Sequence, residues 1–141
     1  MDETEFVENA SALTQVFGEW PSFHDAEVHA MLLDRAGPHG AGLEAQVHVF
    51  RMTDEVDARG FYILTHHSLV GLRFDDISLL QLRGFNTQNA LSDLLLEPVE
   101  PQTNEGGRRY RVRFGSAWGV EAELFCNQIA VTSVEPLAPA S

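Results

Sequence analysis

Leu43-Glu44-Ala45-Gln46-Val47-His48-Val49-Phe50 alternates apolar and polar side chains without a break. Successive side chains of a strand point to opposite faces, so a period of two marks a strand with one buried face. Leu43, Ala45, Val47 and Val49 then face a core, and Glu44, Gln46 and His48 face away. Residues 26–34 supply a partner across a Gly- and Pro-rich loop at 35–42. Their apolar residues Val28, Ala30 and Leu32 share one face, with Glu27, His29, Met31 and Leu33 on the other. Matching apolar faces favours a register with Leu32 opposite Ala45, Ala30 opposite Val47 and Val28 opposite Val49, and leaves open slips by two residues, which keep the faces. That register also sets His29 opposite His48, with Glu27 and Gln46 beside them.

A second alternation lies near the C-terminus. Tyr110, Val112 and Phe114 alternate with Arg109, Arg111 and Arg113, and Val120, Ala122 and Leu124 alternate with Glu121 and Glu123. Paired as a hairpin with an odd loop at residues 116–118, they set arginines opposite glutamates. Strands are also expected within 61–74 and at 78–82. Asn127-Gln128 is read as a tight turn into a last strand at 129–134.

Two helices are expected. Phe6, Ala10, Leu13 and Phe17 make one stripe over residues 4–17, which Gly18 ends. Ala90, Leu91, Leu94 and Leu95 make a second over 87–96, capped by Asn86 and stopped by Pro98. The fold class is therefore α+β: an antiparallel sheet of about six to eight strands with two helices, as a single domain over residues 1–135. A disordered tail is expected at 136–141.

Size and composition agree. The chain has 141 residues, 44% of them hydrophobic, enough to build a core without metal, cofactor or disulfide. Cys126 is the only cysteine and falls within the last alternating pattern, as a small core residue would. The start, Met1-Asp2-Glu3-Thr4-Glu5, is acidic where a secretory signal is basic, and no apolar run approaches membrane-spanning length. A cytoplasmic location is expected. Twenty-one acidic residues against nine basic ones, all arginine, give a net charge of −12. That argues against nucleic acid as a ligand and would favour a basic partner, although acidity that merely keeps a protein soluble explains the charge as well.

Catalytic signatures are missing. There is no Gly-x-Ser-x-Gly elbow, and without lysine there is neither a phosphate-binding loop nor Schiff-base chemistry. One cluster stands out. His24, Asp25, Glu27 and His29 lie within six residues and have the donor chemistry of a zinc, manganese or iron site. Their spacing is not the i, i+4 of the helical zinc motif, and a turn network of hydrogen bonds explains them as well. Asp75-Asp76 reads as a turn or a cation site. Trp20 and Trp118 are candidate interface anchors. In residues 84–89, Gln88 and Asn89 are not explained by helix capping and are read as binding a partner or bracing the neighbouring strand.

Three runs carry a resemblance: Trp20-Pro-Ser-Phe-His-Asp-Ala-Glu-Val28, the strand at 69–74, and Gly84-Phe-Asn-Thr-Gln-Asn89. Together they resemble the immunity protein 50 family over roughly residues 17–96. That resemblance implies a non-enzymatic protein that binds and neutralises a cognate polymorphic toxin. The polar groups assigned to partner binding are His24, Asp25, Glu27, His29, Gln46 and His48. The rival readings are a metal-dependent enzyme built on His24, Asp25, Glu27 and His29, and an interaction subunit.

Overall fold

A computed structural model describes residues 2–137. They form mainly β structure, not the α+β arrangement of six to eight strands expected above. Nine strands make one sheet, in the order β1-β9-β4-β3-β2-β6-β7-β8-β5. In chain order they are β1 (Val7–Glu8), β2 (Glu27–Gly37), β3 (Gly40–Val56), β4 (Tyr62–Asp75), β5 (Ser78–Arg83), β6 (Ala90–Pro98), β7 (Tyr110–Trp118), β8 (Glu121–Cys126) and β9 (Gln128–Pro136). The helices are α1 (Glu3–Phe6) and α2 (Ala10–Phe17). No helix among the described residues is long and apolar enough to cross a membrane.

β2 and β6 pair only at Glu27 and Ala90, so that junction works as a fold line between two halves. Three strands separate β4 from β7 in the order, yet Phe74 and Phe114 meet edge to face with ring centroids 5.8 Å apart. The sheet must therefore double over to enclose its core. Leu43, Val47, Val70 and Leu72 come from one half, and Leu91, Val112 and Leu124 from the other, all fully buried. Each is worth about 2 kcal/mol of transfer free energy. Cys126 is also fully buried, and burial pushes its thiol up to about 12.

The first expected helix is broken in two. Asp2 caps α1, its carboxylate accepting from the Thr4 amide at 2.9 Å while its own amide donates to Glu5 at 3.0 Å. Val7 and Glu8 then leave the helix to pair with Ile129 and Ala130 of β9. Asn9 turns the chain back in a left-handed conformation (φ 58°) and donates its side-chain amide to Val131 O at 3.1 Å. Ala10, Leu13 and Phe17 are buried as the stripe requires, and Gly18 ends α2 at φ 82°.

The second expected helix is β6. Its leucine run satisfies either period, and the neighbour decides. β7 accepts β6 as a full-length antiparallel partner from Ala90↔Trp118 to Pro98↔Tyr110, burying Leu91 and Leu96. Asn86 caps no helix; its side chain accepts from the Gln88 amide at 2.9 Å in a local turn.

The β2–β3 register also differs from expectation. Val28 faces Val47, not Val49, and Glu27 faces His48. A bulge at His29 then puts two β2 residues against one on β3, so that Ala30 faces Gln46 and Met31 faces Ala45. This reverses the faces beyond the bulge. Met31 packs on the core, and Leu32, expected inside, is 63% exposed.

Arginine faces glutamate across the β7–β8 hairpin, but the register is two residues from that of a loop at 116–118: β7 runs on through Trp118, and Arg113 faces Glu123 rather than Glu121. Arg111 bridges Glu123 at 2.9 Å and Glu97 of β6 at 3.1 Å, contacts that raise its pKa further. Arg109 instead lies over the Tyr110 ring. Asn127 is a corner rather than a hairpin turn, because β9 crosses to pair with β4 and β1, not with β8. Its amide donates to Asp75 O at 3.0 Å and its side chain to Asp76 at 2.7 Å. Both aspartates also hold arginines, Arg73 at 2.9 Å and Arg108 at 3.2 Å. β9 runs on through Pro136, which pairs with Ser68. Residues 138–141 of the expected tail lie outside the described residues.

Candidate functional site

Polar side chains gather in two places along β2. The first is an interior knot around Asn89, which is 2% exposed. Its amide donates to the Glu27 carboxylate at 2.7 Å. Its side-chain nitrogen donates to Val28 O at 3.3 Å and to Asn86 O at 2.8 Å, while its side-chain oxygen accepts from the amides of Asn86 at 2.9 Å and Val120 at 3.2 Å. One side chain thus ties β2, the 84–89 loop and the β7–β8 turn. Gly119, at φ 79°, presses its backbone against Gln88 O, where a Cβ would collide.

His24 and Asp25 flank this knot. Ser22 accepts from the His24 amide at 3.2 Å, and the Asp25 amide donates to Leu91 O at 2.8 Å with Asp25 itself left-handed at φ 66°. The His24 ring bonds Ser92 O at 3.0 Å through Nδ1, so that nitrogen carries the proton and donates. Its Nε2 stands 3.6 Å from the exposed Asp25 carboxylate.

The second gathering is a row of imidazoles on the outer face of β2, β3 and β4. His48 lies between the fully buried Val47 and Val49, so strand parity turns it outward. Its Nε2 is 2.9 Å from Nδ1 of His67. One of the two nitrogens must carry a proton and the other accept it. His29, which follows the buried Val28 and so faces outward, stands edge-on to His48 at 5.9 Å between centroids. Phe50 packs against both His48 and His67. The His48 pKa is lowered, first by burial and then by the charges His67 and His29 would carry, with Glu27 opposing.

Of the six residues assigned to partner binding, His29, Gln46 and His48 share the outer face. Glu27 turns to Asn89, and His24 and Asp25 form a separate exposed turn. The four residues of the metal alternative are therefore divided between knot, turn and face. Among the described residues, no three His, Cys, Asp or Glu side chains are placed to hold a metal ion. His67 was not anticipated. Leu69 faces His48, which makes His67 its diagonal neighbour, so pairing 43–50 with 61–74 would have found it.

The family model described as immunity protein 50 matches residues 9–137. The chain belongs to the immunity protein 50 family. The match takes in α2 and every strand except β1. The chain matches no curated protein and no solved structure. In this immunity protein 50 member, two of the three runs that carry the resemblance, 20–28 and 84–89, meet face to face at the Glu27–Asn89 knot. They are framework.

Proposed function

We propose that this chain is a cytoplasmic immunity protein that binds a cognate bacterial polymorphic toxin one to one and neutralises it without catalysis. The observation that carries this reading is family membership over nearly the whole chain, residues 9–137. Charge supports a basic partner. Residues 1–66 hold twelve acids and three arginines, while residues 67–141 hold nine and six. The net charge is thus concentrated in the first half of the chain, which contains β2 and β3, and it would speed a basic partner's arrival. We place partner contacts on His29, Gln46 and His48 of the outer face and on the exposed turn of His24 and Asp25; Glu27, turned to Asn89, is left to the framework. No nucleic acid or membrane takes part in this reading.

The test is a pull-down of the tagged chain from its native cells, followed by a salt wash and mass spectrometry. One polypeptide at near-equal stoichiometry, toxic when expressed alone, is the expected result. Retention of no such polypeptide would sink the proposal.

A further inference from the structure

β3 and β4 run on past the rest of the sheet. Pairing of β2 with β3 stops at Glu27↔His48, and pairing of β4 with β9 stops at Ser68↔Pro136. Beyond those points Arg51↔Thr65, Met52↔Leu64 and Val56↔Tyr62 pair only with each other. Residues 51–65 are thus a two-stranded ribbon with no further strand on either side. Its end is built. Asp57 accepts from the Arg59 amide at 2.8 Å and the Phe61 amide at 3.1 Å, and Thr53 donates to Ile63 O at 2.7 Å.

The ribbon is apolar where water should reach it. Phe61 is 65% exposed and Tyr62 58%, and Met52, Val56 and Ile63 are exposed as well. A free two-stranded ribbon is marginal in water, and large exposed apolar patches mark interaction sites. Aromatic residues and methionine are also what interface centres collect. Arg59 sits 5.8 Å over the Phe61 ring and helps to fix it. Asp54 and Glu55, both exposed, make no ion pair among the described residues.

We infer that residues 51–65 form a finger that inserts into a concave cleft of the partner protein, with an apolar floor for Phe61 and Tyr62 and a basic rim for Asp54 and Glu55. A projecting ribbon with apolar rings and uncompensated acids complements a recess of that chemistry. This rests on the binding function proposed above and names the element that supplies most of the binding energy.

The test titrates the full-length chain against the toxic polypeptide retained in the pull-down. Three variants accompany the wild type: Phe61→Ser/Tyr62→Ser, Asp54→Asn/Glu55→Gln and His29→Ala/His48→Ala. Circular dichroism confirms that each is folded. The finger predicts at least about 100-fold weaker binding for the aromatic pair. It also predicts severalfold slower association for the acid pair at low salt, and no slowing at high salt. Binding of the aromatic pair within threefold of wild type would overturn the finger while leaving the binding function intact. A wild-type dimer that the aromatic substitutions convert to monomer would overturn it too, by showing that a second copy covers the ribbon. If the wild type binds no polypeptide at all, the proposed function itself fails, and the finger loses its occupant with it.

Discussion

Glu27 and His29 stand two residues apart on one strand and serve opposite ends. Glu27 turns to the Asn89 knot, where the asparagine's side chain and amide are all bonded and water is excluded. His29 joins a row of imidazoles in which His48 and His67 share one proton between facing nitrogens, and the His29 ring makes no hydrogen bond to another described residue. Polar groups whose bonds are all satisfied inside the chain hold the fold together. Polar groups left facing outward have bonding capacity to offer a partner. The difference separates framework from candidate surface more sharply than residue type does.

The largest expected effect breaks the knot. Asn89→Ala strands Val28 O and the Val120 amide in buried surroundings, and frees the Asn86 amide on the exposed loop. Each buried unsatisfied group costs about 1–3 kcal/mol, so urea denaturation should show a loss of about 2 kcal/mol or more. A loss below 1 kcal/mol would mean that the knot is ornamental.

A smaller effect sharpens the other side. Unfolded His48 titrates near its ordinary value of about 6.5, and the folded residue titrates below it. Above that pH both states leave it neutral. As pH falls through the window beneath 6.5, the unfolded chain takes the proton first, and stability is lost. Wild type should therefore lose more stability than His48→Gln between pH 7.5 and 5.5. Parallel curves would show that His48 does not contribute to the pH dependence. The smallest effect is that of His29→Ala, which should change stability by no more than about 0.5 kcal/mol, as exposed positions do. A larger loss would move His29 from surface to framework.

Where apolar residues alternate strictly, as in 43–50 and 110–114, the strands and their buried faces were legible. So was the facing of arginines and glutamates across the β7–β8 hairpin, since like faces fix its parity; the loop expected at 116–118 was misplaced, because β7 continues through Trp118. The leucines of β6 were misread as helical because a short apolar run fits both periods until β7 supplies a partner. The faces of Ala30 and Leu32 were lost to a single bulged residue, His29, which local alternation cannot reveal. His67 needed the β3–β4 register, and Asn89 needed contacts with residues some sixty positions away in the chain. Residues 53–60 hold three acids and no apolar alternation, and only the pairing of Val56 with Tyr62 shows them to be the end of a ribbon.

The central claim is stoichiometric neutralisation. It is tested most directly by titrating the chain into the purified toxic polypeptide while following that polypeptide's own activity. Binding predicts a linear fall that reaches zero at one equivalent and is unaffected by chelators. Inactivation by a small fraction of an equivalent, growing with time, would contradict it and point to catalysis.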